Sequence, residues 1–373
     1  MKEKYMREGC VRKSINEICD KASSNIAQNK IAGICGEYPV YGASGYVQNV
    51  DFYHRDAEYI GIVKDGSGVG RVNIYPAYSS LLGTMQYILP KEGNLLGYVA
   101  YALKGLNLSS FASGAAIPHI YFKDYGKCKI DVPPMEEQER IVAELDLLQS
   151  VIDKKKAQLD EYDKLAQSIF YEMFGDPIDN PKKWEVKKLG DECSEIRYGT
   201  SKPACENGKY KYLRMGNITN DGFLDLSNIK TIDIPDDEVE KCVVRYGDIL
   251  FNRTNSLDLI GKTCMFDLEE PMIIAGYIIR VRLSKKLMPR YVSTMFNIPS
   301  MKLHLKKMAK GAVNQANINS KELASIIIPL PPLSLQQSFA EKIEAIEHQK
   351  ELVKQSLNEV KTLFDSRMDY YFN

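Results

Sequence analysis

The chain has 373 residues, which is long enough for two ordinary domains that each bury their own core. Its 49 basic residues balance its 49 acidic residues, so no overall field attracts a polyanion, and any surface for nucleic acid has to be a local patch. The eight cysteines include no Cys-x-x-Cys pair and the four histidines lie far apart, which argues against a disulfide framework and against a zinc site.

The sequence shows neither a targeting segment nor a membrane span. It begins Met-Lys-Glu-Lys-Tyr, without the apolar run of a signal peptide. No stretch approaches the roughly 18 consecutive apolar residues that a transmembrane helix needs. We therefore expect a soluble, cytoplasmic protein with no membrane contact.

The first globular body is predicted to consist mainly of strands and turns. Short apolar runs, separated by clusters of Gly, Pro, Ser and Asn, predict strands at residues 59–63, 72–75 and 85–89. Residues 94–103 predict a short helix. A further strand at residues 127–132 leads into Pro133 and Pro134. These prolines stop a strand and begin a helix, because proline lacks the ladder N–H but suits a first helical turn.

Residues 133–174 predict one long helix. Its apolar positions recur at alternating steps of four and three, with Lys155 in the one slot that lacks an apolar residue, and this is the repeat of a helix that packs lengthwise against another helix. They are Ile141, Leu145, Leu148, Ile152, Leu159, Tyr162, Ala166, Ile169 and Met173. The pattern returns 198 residues later, where Pro331 matches Pro133, at Phe339, Ile343, Ile346, Lys350, Val353, Leu357, Val360, Phe364, Arg367 and Tyr371. Each half of the chain is therefore predicted to end in the same long helix.

The second body repeats the order of elements of the first. After a turn-rich linker at residues 175–181, the segments at residues 184–191, 210–216, 248–253 and 289–298 match those at 11–17, 38–42, 59–64 and 94–103. The sequence thus predicts an α+β fold with two globular α/β domains in tandem, each followed by a long helix. The two helices are predicted to pair with each other as an antiparallel coiled coil.

Two glycine-containing loops bear a partial likeness to nucleotide-binding loops. Residues 66–70 form a Gly-x-Gly-x-Gly run that lacks the dinucleotide spacing and has no βαβ unit around it. Residues 261–263 end like a phosphate loop, but Ser256 stands where the first glycine is needed. A nucleotide-dependent enzyme that uses these loops is the weaker hypothesis. We expect no enzyme, because the sequence contains no Asn-Pro-Pro-aromatic, Gly-x-Ser-x-Gly or His-Glu-x-x-His motif.

Local charge is more informative than the total charge. Residues 271–321 contain ten basic residues and no Asp or Glu, and residues 93–123 are a milder version with Lys104 and Lys123. Acid-free stretches suit contact with a phosphate backbone, because a carboxylate there would repel it. A solvated basic face explains the same pattern, so both interpretations stay open.

Polar loops that can recognise bases recur in both bodies. Residues 310–317 offer amides that can pair with adenine edges, and residues 113–119 are their counterpart. Residues 252–256 and 64–67 form a second polar loop in each body. A generic turn explains each loop alone, whereas the recurrence favours function. The predicted DNA contacts are Tyr41, Ser44, Lys64, Ser67, Arg71, His119, Arg214, Asn217, Asn252, Arg253, Asn255, Lys262, Lys306, Lys307, Lys310, Asn314 and Asn317.

The chain resembles the DNA-specificity subunits of type I restriction-modification enzymes over essentially its whole length. The resemblance rests first on the two helix entrances, Val-Pro-Pro-Met-x-x-Gln at residues 132–138 and Leu-Pro-Pro-Leu-x-x-Gln at residues 330–336. It rests next on Tyr-Pro-Val-Tyr-Gly-Ala-Ser-Gly at residues 38–45 and on the opening at residues 184–191. The first body departs from the family pattern, since it lacks a counterpart of Trp184 and its acid-free stretch is less basic.

The resemblance implies that each globular domain recognises one half of a bipartite DNA site and that the helical pair sets the unread spacer. It implies target-recognition domains at residues 1–134 and 177–332, with spacer helices at 135–176 and 333–373. It also implies that two methyltransferase subunits dock on the helices and that restriction subunits join them. S-adenosylmethionine, ATP and Mg²⁺ would then bind to those partners, with no cofactor, metal ion or catalytic residue in this chain. A coiled-coil interaction protein without DNA binding stays open as another alternative.

Overall fold

The computed structural model describes residues 9–114, 117–312 and 315–372. Contacts between residues divide the chain into two compact units. Unit 1 comprises Met1–Lys156 and Gln355–Asn373, and unit 2 comprises Ala157–Lys354. Each unit therefore combines a globular body with parts of two long helices.

The helices are short within the globular bodies, whereas two of them run for 40 residues each. In chain order they are Ile15–Ile18 (α1), Gln28–Ile31 (α2), Leu96–Gly105 (α3), Phe122–Tyr125 (α4), Met135–Phe174 (α5), Asp236–Cys242 (α6), Pro289–Asn297 (α7), Pro299–Met308 (α8), Ser320–Ala324 (α9) and Leu333–Phe372 (α10). Single 3₁₀ turns lie at Leu108–Phe111, Leu189–Glu192 and Met215–Asn217. The predicted pair of long helices is confirmed, each beginning directly after a double proline.

The sheets of unit 1 are built from short strands. They are Val11–Ser14 (β1), Cys19–Ser23 (β2), Tyr38–Gly42 (β3), Gly45–Val50 (β4), Tyr59–Val63 (β5), Val72–Tyr75 (β6), Ser80–Leu81 (β7), Met85–Pro90 (β8) and Lys129–Val132 (β9). One antiparallel sheet has the order β2-β8-β5-β6, and another sheet has the order β4-β3-β7 with β3 and β7 parallel. The apolar run of β5 is buried along its whole length, as its interior place in the sheet requires. The strand β1 pairs with β9, which leads into α5.

Unit 2 repeats this arrangement of sheets. Its strands are Glu185–Lys188 (β10), Cys193–Tyr198 (β11), Tyr210–Leu213 (β12), Lys230–Ile232 (β13), Val243–Val244 (β14), Ile249–Asn252 (β15), Thr254–Asn255 (β16), Thr263–Met265 (β17), Met272–Ile274 (β18), Ile278–Leu283 (β19), Lys310–Ala312 (β20), Gln315–Asn317 (β21) and Ile327–Leu330 (β22). The sheet β11-β19-β15-β17 corresponds to β2-β8-β5-β6. The sheet β13-β12-β18-β14 contains the parallel pair of β12 and β18, which corresponds to β3 and β7. The strand β10 pairs with β22, which leads into α10.

Each unit has a core in which the globular body packs on the long helices. In unit 1, Tyr98 and Val99 of α3 join Ile141 and Leu145 of α5 and Tyr371 of α10. The core of unit 2 contains an aromatic cluster, in which the buried rings of Phe170, Phe174, Tyr291 and Phe339 contact one another with centroid separations of 4.7 to 5.8 Å. Burial of this apolar surface is the main force that fixes the long helices to each body.

The predicted seams of the long helices are confirmed as their inner faces. Every position of the two predicted stripes is buried or half-buried. Within unit 1 the carboxylate of Glu144 on α5 pairs with Arg367 on α10 and accepts a hydrogen bond from Tyr371 at 2.6 Å. Within unit 2 the ammonium group of Lys350 on α10 lies 2.6 Å from Asp163 on α5. Burial alone would lower the pKa of Lys350, but its ion pairs with Asp163 and Glu347 raise that pKa above the usual value.

The two helix entrances are held by one device that is repeated in both units. In unit 2 the buried Gln336 accepts a hydrogen bond from the Met288 amide at 2.9 Å and donates to the carbonyls of Lys286 and Pro331 at 3.1 and 2.9 Å. In unit 1 the corresponding distances for Gln138 are 2.8, 3.2 and 3.0 Å, to Leu95, Gly93 and Pro133. Met288 and Leu95 cap the N-termini of α7 and α3. The glutamine of each entrance thus ties the double proline to the start of the short helix.

No helix among the described residues is both long and apolar enough to span a membrane. The boundaries of target-recognition domains and spacer helices at residues 134, 176 and 332 stay a prediction. The two compact units do not follow these boundaries, because each unit includes a section of both α5 and α10.

Candidate nucleic-acid interface

The predicted polar loops of each unit meet at one edge of its sheets. In unit 1 the loop after β5 bonds to the segment before α4, with the Ile120 amide donating to the Lys64 carbonyl at 3.0 Å. In unit 2 the Ile318 amide donates to the Arg253 carbonyl at 2.9 Å. Position 318 lies 198 residues after position 120, so the repeat seen in the long helices extends to these loops.

Further backbone bonds match the two edges residue by residue. The Lys64 amide donates to Thr84 at 3.1 Å, and the Arg253 amide donates to Tyr277 at 2.9 Å. Likewise Val63 and Asn252 donate to the carbonyls of Arg71 and Lys262 at 3.0 and 2.8 Å. Equivalent positions are therefore Lys64 and Arg253, Arg71 and Lys262, Thr84 and Tyr277, and His119 and Asn317. One backbone frame presents different side chains in the two units.

In unit 1 the frame brings together most of the residues predicted to contact DNA. The imidazole Nδ1 of His119 lies 3.2 Å from the carboxylate of Asp65, and its Nε2 contacts the Tyr121 hydroxyl. The guanidinium of Arg71 donates to the Ala43 carbonyl at 2.6 Å, which joins the glycine loop to the turn that holds Ser44. Ser44 and Ser67 are exposed, Lys64 is half-buried, and Tyr41 is half-buried against Tyr75.

Unit 2 assembles the equivalent loops. The Thr254 hydroxyl donates to the side-chain oxygen of Asn317 at 3.0 Å, in the place of the Asp65–His119 pair. Lys262 donates to the Met215 carbonyl at 3.1 Å, in the place of the Arg71–Ala43 bond, and burial lowers its pKa. Asn255 pairs with Ala316 in the small sheet β16-β21-β20, and its side chain accepts from the Ser256 amide at 2.9 Å. Asn314 lies outside the described residues.

A cavity of about 730 Å³ opens at this edge in each unit. The unit 1 cavity is lined by neutral groups that include Asn25, Gln28, Ser44, Tyr46 and Thr84. The unit 2 cavity is lined by the cations Lys202, Arg214 and Arg253 together with Tyr212 and Tyr277. The two cavities have similar volumes but differ in charge, so they suit different ligand surfaces.

Two of the predicted contact residues are buried. The amide of Asn217 is used inside its own loop, where it accepts from the Arg214 amide at 2.9 Å and donates to the Asp225 carbonyl at 2.8 Å. Asn252 is fully buried at the position that Val63 occupies in unit 1. Asn252 is the last residue of the buried strand β15, and Asn217 is a buried residue of the 3₁₀ turn Met215–Asn217, so neither side chain reaches the surface.

In the fold, most cations of the acid-free stretch at residues 271–321 lie next to carboxylates. Carboxylates from other parts of unit 2 pair with most of its cations, namely Glu195 with Arg280 and Arg282, Asp248 with Arg282, Glu192 with Lys286, Asp267 with Arg290, Asp258 with Lys306 and Glu322 with Lys310. Arg280 is fully buried and Lys302 donates to the Gly261 carbonyl at 3.0 Å. Lys307 is exposed, with no ion pair to a described residue. Sequence-local charge does not reveal these partners from elsewhere in the fold, and contact of the stretch with phosphates stays a prediction.

Neither glycine loop has the open form of a nucleotide cradle. A Cβ atom at Gly70 would lie 2.6 Å from the Ser109 amide nitrogen, so the first loop packs against its own unit. In the second loop Thr263 is fully buried and its hydroxyl donates to the Gly261 carbonyl at 3.0 Å. The hydroxyl that would hold Mg²⁺ in a phosphate loop is therefore occupied. Among the described residues, no group of His, Cys, Asp and Glu side chains is arranged to hold a metal ion.

Sequence reasoning missed several residues at these edges. Asn25, Gln28 and Tyr46 line the unit 1 cavity, and Tyr277 lines that of unit 2. The sequence could have revealed Tyr277 through an alignment of the two halves, because Tyr277 follows Gly276 as Thr84 follows Gly83. Nothing in the sequence singles out Asn25 or Gln28.

Comparison with known proteins gives a consistent result. The family model described as "Type I restriction modification DNA specificity domain" matches residues 8–161 and 181–362. The specificity subunit of the type I restriction enzyme EcoKI from Escherichia coli K12 is 25% identical over 289 residues, which cover 72% of this chain and 62% of that protein. This chain thus matches less than two thirds of that relative's length. The MjaVIII specificity subunit from Methanocaldococcus jannaschii is 26% identical over 320 residues, covering 79% of this chain and 74% of that protein.

Solved structures show the same fold. The type I restriction-modification S subunit from M. genitalium aligns with a TM-score of 0.62 at 14% identity and covers 100% of this chain and 98% of that one. A chain from a structure of the type I restriction-modification system, described in terms of complex assembly and conformational transition, aligns with a TM-score of 0.56 at 18% identity and covers 99% of both chains.

Proposed function

The chain belongs to the type I restriction-modification DNA specificity family, and from that premise we propose that it recognises a bipartite site in double-stranded DNA, one half with each unit. It acts as the non-catalytic component that selects the sequence. The edges that carry the polar loops are the surfaces that contact DNA.

One observation supports this proposal most strongly. The two units repeat the same backbone bonds at their loop edges, yet equivalent positions differ in chemistry, as with His119 and Asn317 or Lys64 and Arg253. A repeated frame with different side chains suits two half-sites of different sequence, because hydrogen-bonding groups at base edges specify sequence. A single continuous palindrome would need like side chains at both edges.

The long helices have a separate role in the proposal. They set the length of the unread spacer between the half-sites and provide docking surfaces for two methyltransferase subunits. Restriction subunits join that complex, and S-adenosylmethionine, ATP and Mg²⁺ bind to these partners. The polar contacts of Lys350 and Arg367 at the seam fix the register of the pair, since polar groups at buried seam positions favour one alignment.

The test is the pattern of DNA methylation in cells that express this chain with its methyltransferase. We expect one split motif with a fixed gap between its halves. A continuous motif, or methylation without any motif, contradicts the proposal. A purified complex that binds no duplex in a gel-shift assay supports instead a coiled-coil interaction protein without a DNA role.

A further inference from the structure

Arg253 occupies the centre of the loop edge of unit 2, and its backbone is held on both sides. Its amide donates to the Tyr277 carbonyl at 2.9 Å, and its carbonyl accepts from the Ile318 amide at 2.9 Å. The residue follows directly after β15, whose strand is buried throughout. The Cα atom of Arg253 is therefore fixed relative to the sheet, and only the side chain is free to meet a ligand.

The guanidinium group of Arg253 is also held in place. It lies over the ring of Tyr198, with 4.8 Å between the guanidinium carbon and the ring centroid. The hydroxyl of Tyr198 accepts a hydrogen bond from the Ser320 amide at 2.8 Å, which fixes the ring. Stacking on an aromatic face aligns the planar guanidinium and leaves its N–H edges free.

Arg253 differs from the other cations that line the unit 2 cavity. Lys202 pairs with Glu238 at 2.9 Å, and Arg214 donates to the Asn228 carbonyl at 3.1 Å. Within the described part of the chain, the guanidinium of Arg253 has no carboxylate or carbonyl partner; its Nε is buried without a hydrogen bond, as is the Nε of Arg214. Arg253 lines the cavity, and its terminal N–H groups, which have no acceptor among the described residues, are therefore available to a ligand.

A fixed arginine presents two parallel donors, so its ligand needs two acceptors along one edge. The O6 and N7 atoms of guanine in the major groove form such an edge. A phosphate also accepts two hydrogen bonds, but it is charged and favours several cations, and the neighbouring cations of this cavity already have partners. We propose that Arg253 recognises a guanine in the half-site bound by unit 2, with Tyr198 as its positioning residue. This inference rests on the proposed DNA-binding function.

The equivalent residue of unit 1 is arranged differently. Lys64 carries a single ammonium group, and that group lies 3.7 Å from the carboxylate of its neighbour Asp65. Lys64 therefore lacks the planar pair of donors of Arg253, and, unlike Arg253, it has a carboxylate beside its charged group. The proposal therefore applies to one half-site, and it predicts that the two halves differ at this position.

The experiment measures binding of the full chain, in complex with its methyltransferase subunits, to duplexes that carry the recognised site. Each guanine of the two half-sites is replaced in turn by 7-deazaguanine, which lacks the N7 acceptor but still pairs with cytosine. We expect one such replacement to weaken binding by about tenfold or more, in line with the discrimination of a bidentate arginine–guanine contact. Arg253→Ala should lose this sensitivity at that guanine, and Arg253→Lys should retain only part of it, because lysine donates from a single ammonium group instead of a planar pair of N–H groups. Both variants should keep the sensitivity at all other guanines.

The outcomes separate the inference from the function on which it rests. If the wild-type complex recognises a split motif but neither Arg253 variant changes the response to any 7-deazaguanine, the inference is overturned and the proposed function stands. A uniform loss of affinity for all duplexes in Arg253→Lys, with 7-deazaguanine sensitivity intact, identifies a phosphate contact and also overturns it. Absence of sequence-specific binding by the wild-type complex overturns the proposed function itself. The variant Tyr198→Leu, which keeps Arg253, should show a smaller loss at the same guanine, and an unchanged response removes the positioning role.

Discussion

Replacement of Gln336 by methionine tests whether the helix entrance is a structural device. Methionine has a similar volume but makes none of the three hydrogen bonds that Gln336 makes with Met288, Lys286 and Pro331. At roughly 1 kcal/mol for each hydrogen bond, the loss is about 3 kcal/mol, since Gln336 itself is fully buried. For a unit of this size that loss lowers the Tm by about 6–12 °C.

Thermal unfolding followed by tryptophan fluorescence measures this effect in unit 2. Trp184 is the single tryptophan of the sequence, and its indole N–H donates to the Phe174 carbonyl at 2.9 Å, so its emission reports on the end of α5. Gln337→Met is the matched control, since the neighbouring Gln337 is exposed and its replacement should leave the Tm almost unchanged. Equal Tm values for the two variants would refute the reasoning.

A second substitution at the same position adds a pH test. In Gln336→Glu the carboxylate faces the carbonyls of Lys286 and Pro331, which raises its folded-state pKa above the unfolded value. Its protonated form can donate to one carbonyl, so the stability of this variant is greatest below the unfolded pKa and is lost as the pH rises through the folded pKa. A Tm difference from wild type that does not vary between about pH 4 and pH 7 would contradict this account.

Three further predictions concern charge and helix length. Burial lowers the pKa of Lys302 from 10.5 to about 8, so the folded state loses this proton at a lower pH than the unfolded chain does, and the stability of the protein rises over that pH interval. Lys302→Met should abolish the rise. A constant Tm difference between variant and wild type over that interval would count against this prediction. Lys307→Ala should reduce the slope of log K against log salt by about one, whereas an unchanged slope would place Lys307 away from the phosphates. Four residues inserted after Ala157 break the heptad phase and add about 6 Å of helix, so the methylated motif should gain a longer gap or disappear. An unchanged gap would show that the helices do not set the spacer.

The elements with regular periods were predictable from the sequence. The stripes of α5 and α10 extend over many turns, and a repeat of that length has few structural explanations. The strand at residues 59–63 was also predictable, because a short apolar run between turn residues fits a buried strand. Because the two halves of the sequence correspond, equivalent loops such as those of His119 and Asn317 could be identified without any knowledge of their conformation.

The side-chain environment of the loops was not predictable in the same way. The burial of Asn217 and Asn252 was not predictable, because the sequence does not show whether a polar side chain at the end of a strand or in a turn points inward. The ion pairs of the basic stretch at residues 271–321 were hidden from the sequence for a related reason, since Arg280 and Arg282 contact Glu195, which lies more than eighty residues away in sequence. The position of the Arg253 side chain depends likewise on the Tyr198 ring and on Ser320, which only the fold brings together.

The most direct test of the central claim compares two substitutions at equivalent positions. His119→Ala in unit 1 and Asn317→Ala in unit 2 alter loops that lie 198 residues apart and share one backbone frame. The methylation motif of each variant is determined in cells that express it with the methyltransferase. The account predicts that each substitution relaxes the motif in one half only, and that the two variants affect opposite halves. Relaxation of the same half by both substitutions would contradict recognition of one half-site by each unit.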